Sequence, residues 1–526
     1  LNVGPELEIP YEMGKNNTAI STGSGELMLY FNGRQVQNFN HELVENGDSM
    51  YLGELDLGYD VPQNAILLPI PEHPDSILIM NTHAIWSDVY ATVTGGSLYY
   101  SIVDLTRNNG QGKVVTKNVL LEEDHPEFGK LTAVRHANGR DWWVIWPYWN
   151  SNRFMRFLLS PEGLQRLDDQ IIGNPVHSGL GQAQYTPDGN KIVLYNGVSF
   201  NEGAYIDIYN VDRCAGLLSN QITFNIPVSG AAVGSAISSN SRYLYVTSTL
   251  YIFQYDLWAG DVAETKDTVA VYDGFYDPWL PASFFMGQLA RDGKIYISSP
   301  NSVMSLTVIE HPDRGGDSCN VNQHAVQLPV LVAFGIPTFP NHRLGPIDGS
   351  PCDTLGIDNI PLANFRSDQD TSDHLQFYFQ DLSAYEPQTW HWDFGDNTTS
   401  SDTSPIHLFP VDGIYEVCLT VANGNGMHKT CDSLTIGIID DVQAPIEEIA
   451  IKLFPNPVQD HLTIVMNDYY PRQAEVIFYA ATGQIVHRQS LWHGWNNVEH
   501  ITWPGGIYFY EIWDQGRRLG QGKVVK

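Results

Sequence analysis

A turn built from Asn, Asp, Ser or Gly and followed by a strongly β-prone run recurs along the first two thirds of the chain at a nearly fixed step. It reads TPDGNKIVLY from Thr186, SSNSRYLYVT from Ser238 and ARDGKIYIS from Ala290, steps of 52 residues, with HANGRDWWVI 50 residues upstream at His136. Weaker copies, EHPDSILIM and TGSGELMLY, begin at Glu72 and Thr22. A period near 50 residues holding several short strands predicts a β-propeller, whose blades are four-stranded sheets around a channel. Six units are visible. A seventh, assembled from residues 328–339 and the N-terminal strand, would close the ring and remove its free edges, so seven blades are favoured and six is the alternative.

Composition agrees with an all-β chain. Aromatic residues make up 12% of the 526 residues, with 46 Gly and 30 Pro, and apolar residues come in short alternating runs between turn residues. The 60 acidic residues against 28 basic ones give a net charge of -32, which repels nucleic acid phosphates and anionic lipid. Nucleic acid is therefore excluded as a partner. The longest apolar stretch, LPVLVAFGIPTF at 328–339, is broken by Pro329 and Pro337 and falls short of the ~20 residues of a membrane helix; no membrane span is expected. The chain starts at Leu1 without an apolar leader, as it would if a signal peptide had been removed or had never belonged to it.

Five cysteines are present. Cys418 and Cys431 flank the most turn-prone stretch of their region, with their midpoint between Gly424 and Asn425, so a tight hairpin would set them opposite each other within disulfide reach. Closing so short a loop contributes roughly 3 kcal/mol in the chain-entropy treatment. Cys319 and Cys352 bracket another loop-rich segment and form the expected second bridge, leaving Cys214 unpaired. Such bridges imply an oxidising compartment outside the cytoplasm. No Cys-x-x-Cys spacing occurs, so no structural metal site is expected.

Several segments of the first region, GKLTAVRHANGRDWWVI, FQYDL, GQLARDGKIYIS and FPNHRLGPIDGSPCDTLG, resemble the propeller-like N-terminal regions of secreted and surface proteins of gliding-type Gram-negative bacteria. The resemblance covers about residues 20–358 and implies a fold and an address rather than a reaction.

After residue 360 a second pattern begins, containing WHWDFGDNTTSS at 390–401. Asp393-Phe394-Gly395 is the magnesium-holding tripeptide of protein kinases, but no Gly-rich loop, strand lysine or His-Arg-Asp loop precedes it, and the aspartate alone cannot position ATP. In IYEVCLTVA, residues Ile414, Tyr415, Val417, Leu419 and Val421 supply the apolar face and Glu416, Cys418 and Thr420 the other, the pattern of a small β-sandwich. Trp392, Phe394, Gly395, Asp396, Pro405, His407, Phe409, Gly413, Tyr415 and Val417 resemble the motif of the PKD domain, an immunoglobulin-like module that serves as a spacer or binding accessory. The resemblance implies that Trp392 and Phe394 are core, that Gly395, Asp396 and Asn397 make a hairpin turn, and that Asp393 is a structural or surface carboxylate. The acidic DQDTSD at 368–373 is a conceivable calcium loop but lacks the central Gly and terminal Glu of an EF-hand; a solvated acidic turn is the favoured reading, and no cofactor is identified.

Residues 439–450 read as an acidic linker with Pro445. Beyond them short strands and turns alternate in another β-sandwich pattern. Phe454-Pro455-Asn456-Pro457, the Gly483 turn, Pro504-Gly505-Gly506-Ile507-Tyr508 and the terminal Gly522-Lys523-Val524-Val525-Lys526 resemble the type A sorting domain of the type IX secretion system. That resemblance implies recognition by the secretion machinery, export across the outer membrane, and a surface or extracellular location. Asp-Ser/Thr-aliphatic tripeptides at Ser49, Ser76, Thr268, Thr354 and Ser433 resemble O-glycosylation acceptors of the same bacteria. The expected order is thus a propeller at 1–360, a PKD domain at 361–438, a linker at 439–450 and a sorting domain at 451–526.

The chain carries no Gly-x-Ser-x-Gly elbow, His-Glu-x-x-His helix or phosphate loop. His136, His177, His311, His324 and His342 fall in expected loops where they could meet at a channel mouth, though loop histidines are more often structural. Trp142, Trp143, Trp146, Tyr148 and Trp149 are open to two readings, blade core or a sugar-stacking platform, with Trp142 and Trp143 read as core. The reading preferred from sequence is an exported non-catalytic protein whose propeller binds glycans, surface proteins or copies of itself, spaced by the PKD domain. A propeller hydrolase or lyase acting on extracellular polysaccharide is the alternative.

Overall fold

The computed structural model describes residues 16–50, 62–87, 92–123, 127, 129–176, 181–197, 203–226, 233–333, 335–370, 372–437, 451–458, 460–466, 474–480, 482, 484–492, 494–498, 501–514 and 517–526. Two compact units divide the chain, Leu1–Ile436 and Gly437–Lys526. The linker at 439–450, His177 and Gly483 lie outside the described residues.

The first unit begins with six successive antiparallel sheets. The first has three strands and each of the next five has four, starting at Ala65–Ile70, Val134–Arg135, Gly181–Tyr185, Gly234–Ile237 and Gly287–Leu289. The core lies between consecutive sheets rather than inside any of them. Along Trp142–Pro147, Trp142, Val144 and Trp146 pack with Leu78 and Met80 of the second sheet, while Trp143 and Ile145 pack with Ile192 and Leu194 of the fourth. A strand covered on both faces reads as a continuous apolar run, which is why WWVIW defies simple alternation. The stacking option for this cluster is thereby corrected: Trp142, Trp143, Trp146 and Tyr148 are all buried, and Trp149 is half-buried.

The repeated turns share one geometry. Gly139, Gly189, Ser241 and Gly293 each donate a backbone bond to the residue three before, closing a β-turn at His136, Thr186, Ser238 and Ala290. One residue earlier, Asn138, Asp188, Asn240 and Asp292 each accept the amide two residues on. The closing residues sit at φ between +61° and +75°, a region glycine enters without steric cost.

Six sheets occur among the described residues of the repeat region, and the favoured seventh blade is not among them. Residues 328–333 belong to Val321–Ala333, the outer strand of the sixth sheet. Thr338 then forms a parallel bridge with Thr18 at the free edge of the first sheet, and the Thr18 hydroxyl donates to the Thr338 carbonyl at 2.7 Å. The end of the repeat region thus completes the first sheet instead of building another. Arg291 of the sixth sheet's turn donates to the Gly23 carbonyl of the first at 3.2 Å, joining the two ends of the series.

The second part of the first unit is a sandwich of a three-stranded sheet (Phe365–Gln369, Gln376–Asp381, Ile406–Leu408) and a four-stranded one (Thr389–Asp393, Thr399–Ser400, Gly413–Asn423, Gly426–Ile436). Its core holds Phe377, Phe379, Trp392, Phe394, Phe409, Val417, Leu419 and Val421. Ile414 departs from the expected apolar face: it is 76% exposed, because alternation places it on the side of Glu416. Cys418 faces Cys431 in the hairpin and the two are bridged.

The expected Cys319–Cys352 bridge is corrected. Cys352 is bonded to Cys214, 138 residues away, and Cys319 is a buried free thiol. Cys319 sits in the apolar layer between the fifth and sixth sheets with Tyr245, Ile295 and Ile309. The chain after the sixth sheet runs back to the fourth, where Arg213 donates to the Gly345 carbonyl and so brings Cys352 to the neighbouring Cys214.

The second unit is a sandwich of a three-stranded sheet (Lys452–Phe454, Leu462–Met466, Gly494–Val498) and a four-stranded one (Glu475–Ala480, Ile485–Ser490, Ile507–Asp514, Arg517–Val525). Leu462, Ile464, Met466, Val476, Phe478, Ile512 and Val524 fill its core. Among the described residues, no helix is long and apolar enough to cross a membrane.

Candidate functional site

The repeated turns position a large cavity of the first unit, about 2020 Å³. Residues 341–348 form a strap across the turn end of the sheets. A Cβ on Gly139 would stand 2.6 Å from Pro346, and one on Gly189 would stand 2.5 Å from Leu344. On Gly293 it would meet Leu382 of the sandwich at 2.5 Å. Absent side chains at the turns thus let both the strap and the sandwich seat closely.

Arg366 is the main polar tie between sandwich and sheets. Its guanidinium donates to the carbonyls of Asp292 (2.7 Å) and Glu310 (2.9 Å), to the Gln380 amide oxygen (2.8 Å) and to Asp368 (2.9 Å). Asp313 takes hydrogen bonds from Ser239, the Asn240 amide and Gln380. Asn359 donates to the Pro346 carbonyl at 3.0 Å, and Asn425 reaches Asp348 at 2.9 Å. The sandwich is therefore docked through several independent contacts, and the cavity lies between it, the strap and the inner strands.

Toward the centre of the sheets, two glutamines stitch the inner strands. Gln63 exchanges two bonds with the Ala183 backbone, donating at 3.0 Å and accepting at 2.8 Å. Gln182 accepts from the Ser235 amide at 2.9 Å and donates to the Gly287 carbonyl at 2.8 Å. Gln182 lies in an inner strand and Gln63 in the turn just before one, and no sequence signal singles either out.

Among the described residues, the four histidines of the expected set do not meet at one point. His311 and His342 line the cavity, His136 accepts the Asn138 amide beside Trp143, and His324 bonds Asp273 at 3.0 Å and packs on Phe275. His342 stands edge-on to Trp142, and burial pushes its imidazole down to about 4. Lys130 and Glu127, both wholly buried and 3.4 Å apart, are a titratable pair that sequence reasoning missed. Burial lowers the Lys130 ammonium, and the field of Glu127 opposes the shift.

The Asp-Phe-Gly stretch is structural. Trp392 and Phe394 are core, Asp393 is exposed and caps the Gly395 amide, and a Cβ on Gly395 would lie 2.7 Å from the Glu416 carbonyl. In the acidic turn, Asp368 pairs with Arg366, Asp370 accepts from Ser372 and Tyr378, and Asp373 caps Leu375. The hydrogen bonds from Ser372 and Tyr378 hold the Asp370 carboxyl well below the ordinary range. Among the described residues, the one group with metal-ligand spacing is Glu416, Cys418 and Cys431, whose sulfurs are already bonded to each other. Of the tripeptide serines and threonines, Ser49, Thr268, Thr354 and Ser433 are exposed and Ser76 is half-buried.

In the second unit the expected motif residues meet at the last strand. Asn456 accepts from the Val525 amide at 2.9 Å and donates to the Lys523 carbonyl at 3.2 Å. Gly506 and Lys526 exchange two backbone bonds, at 3.0 and 2.9 Å, and the Tyr508 hydroxyl donates to Pro504 at 2.7 Å. Phe454 packs edge-on to Trp495, half of it exposed to solvent. Pro455, Pro457, Gly505 and Lys523 are exposed.

Two family models match parts of the chain. Residues 359–438 match the PKD domain family, and residues 452–526 match the secretion system C-terminal sorting domain. No curated protein matches the chain. Among solved structures, the PKD1 domain of Vibrio anguillarum Epp is 26% identical, over 15% of this chain and 95% of that one, with a TM-score of 0.14. The PKD1 domain of the Vibrio cholerae metalloprotease PrtV is 24% identical over 14% and 95%, also with a TM-score of 0.14. A putative 6-phosphogluconolactonase from Bacteroides uniformis is 11% identical over 81% and 100%, with a TM-score of 0.31. The type IX sorting domain directs the chain across the outer membrane to the cell surface or extracellular space and makes the secretion machinery its partner.

Proposed function

We propose that the exported chain is a non-catalytic recognition protein, in which the sheets and the docked PKD sandwich act as one rigid binding unit. The observation that carries this reading is the fate of the charged groups around the cavity. Of the five carboxylates that line it, Asp188, Asp313, Asp368 and Asp381 are each occupied by neighbouring donors; Glu386 takes no hydrogen bond among the described residues, and no described histidine is hydrogen-bonded to any of the five. A hydrolase or lyase needs a free acid and base facing its substrate, whereas the Lys130–Glu127 pair is sealed from solvent. Ligands of the proposed class are glycans, surface proteins or further copies of the chain, with sugar on Ser49, Thr268, Thr354 or Ser433 adding to solubility. The test is to incubate the full chain with a panel of extracellular polysaccharides, measuring binding by calorimetry and turnover by release of reducing or unsaturated ends. Saturable binding without turnover supports the reading, and catalytic turnover overturns it.

A further inference from the structure

In a chain of net charge -32 with 28 basic residues, arginines should find carboxylates easily. Around the strap they do not. Among the described residues, Arg135, Arg213, Arg291 and Arg343 form no ion pair, although eight other arginines do. Arg135 lies over the Trp142 ring at 3.9 Å, and Arg213 donates to the carbonyls of Arg135 and Gly345. Arg291 donates only to the Gly23 carbonyl. Arg343 makes no side-chain hydrogen bond or ion pair among the described residues, yet it is half-buried and lines the cavity with Arg213 and Arg291. Burial and then the field of Arg291 press on its charge. Glu386, which lines the same cavity near Arg213, is itself pushed toward its neutral form by burial and by Asp348, against the field of Arg213.

A second, independent feature marks the same wall. Tyr385 and Glu386 sit consecutively at φ 63° and 54°, a region that bulky side chains avoid and that clusters at ligand clamps. They are held there by Asn423, which donates to both carbonyls, and Tyr385 rests against Gly345, where a Cβ would lie 3.0 Å from its ring. The result is an aromatic face fixed near Arg343, which in turn lies near Arg291 on the same cavity lining, both arginines with unused donors. A guanidinium presents a planar fork matched to oxyanions, an aromatic face suits the apolar side of a sugar ring, and the space holds several rings.

We propose that this lobe binds an acidic saccharide, with Arg343 and Arg291 holding its carboxylate or sulfate groups and Tyr385 carrying a sugar ring. The inference rests on the recognition reading and names its ligand class. Calorimetry on the full chain would compare a galacturonic acid hexamer, the same hexamer fully methyl-esterified and so uncharged, a sulfated heparin hexasaccharide, and inorganic sulfate. At least one charged oligomer should bind ten-fold or more tightly than the ester, weaken steeply between 50 and 500 mM salt, and lose ten-fold or more in Arg343→Gln and in Arg291→Gln. Unchanged thermal melting would show that both variants fold. Equal binding of the ester, indifference to both substitutions, or no binding of either charged oligomer overturns the proposal and leaves recognition of another ligand standing. Sulfate binding as tightly as the oligomers reduces the site to an ion site and also overturns it. Cleavage of an oligomer would instead sink the non-catalytic reading.

Discussion

The Asp396 carboxylate accepts a 2.8 Å hydrogen bond from His407 Nε2 while the His407 ring lies flat on Phe394, 3.9 Å between centroids. Its other oxygen takes the Thr398 amide and hydroxyl. Burial pushes this carboxyl up, but the bonds from Thr398 and His407 outweigh burial and hold it below the ordinary aspartate value. A carboxyl depressed on folding contributes stability that is full above its unfolded value, about 3.9, and is lost as pH falls through the lower folded value. Asp396→Asn should therefore destabilise the sandwich by about 1–3 kcal/mol at neutral pH and flatten its stability profile below about pH 4. Hydrogen exchange across residues 376–421 reads both effects, and an unchanged acid profile in the variant would contradict the assignment.

The turn glycines make a graded prediction. Gly349 has φ 73° and open space where a Cβ would go, so Gly349→Ala carries the backbone penalty alone, of order 1 kcal/mol. Gly139→Ala carries the same penalty plus a 2.8 Å clash with the Pro346 backbone nitrogen and should cost roughly 2–4 kcal/mol. Gly293→Ala meets only the end of the Leu382 side chain and should fall between them. Thermal melting of the three variants tests the order; equal losses would mean that the strap does not seat on the turns as described.

Peptide mapping without reduction should recover Cys214 linked to Cys352 and Cys418 linked to Cys431. Cys319 should take an alkylating reagent only after denaturation, since burial raises its thiol to about 11 and denies access. Cys352→Ser opens a loop of 138 residues and should cost up to about 5 kcal/mol in the chain-entropy treatment, with a lower melting temperature as the readout. A Cys319–Cys352 peptide would reverse the assignment.

The two cysteine expectations show what a sequence discloses. Cys418 and Cys431 are symmetric about a turn, so local geometry determines their pairing. Cys214 and Cys352 meet because the strap returns from the sixth sheet to the fourth, and no local pattern encodes such a return. The same division holds elsewhere. The 52-residue step exposed the sheets and their turns, while the side on which residues 328–339 would pair depended on ring closure, and they completed existing sheets instead of adding one. Trp392 and Phe394 were legible through a motif. Arg343, Arg291 and Tyr385 were not, because each is ordinary in sequence and becomes unusual only where three separate chain segments meet.

Arg366 should behave as the latch of the docked sandwich. Its side chain makes five hydrogen bonds spanning the sixth sheet and the sandwich, one of them to His311 Nδ1, so Arg366→Ala leaves the Asp292 and Glu310 carbonyls without these donors. A loss of about 2–4 kcal/mol in docking is expected, seen as faster amide exchange in the turn at 290–294 and earlier proteolytic entry near residues 355–362. Arg366→Lys cannot reproduce the fork and should recover only part of the protection. Full protection in both variants would show that the remaining contacts suffice.

Asn456 offers a test of what the Phe-Pro-Asn-Pro motif does within the sorting domain. One side-chain amide satisfies both the Val525 amide and the Lys523 carbonyl, while Val458 donates to the Val525 carbonyl at 2.7 Å. The motif thus clamps the final strand, which would otherwise end with unpaired backbone groups along its edge. Asn456→Ala removes the clamp at an expected cost of about 1–2 kcal/mol, whereas Asn456→Asp keeps the acceptor for Val525 and loses the donor for Lys523. Amide exchange at Val525 should rise sharply in the alanine variant and less in the aspartate variant. The exported fraction, measured in the native secreting cell, should follow the same order if the machinery reads a folded terminal strand. If export fails equally in both while Val525 stays protected in the aspartate variant, the machinery reads the asparagine itself.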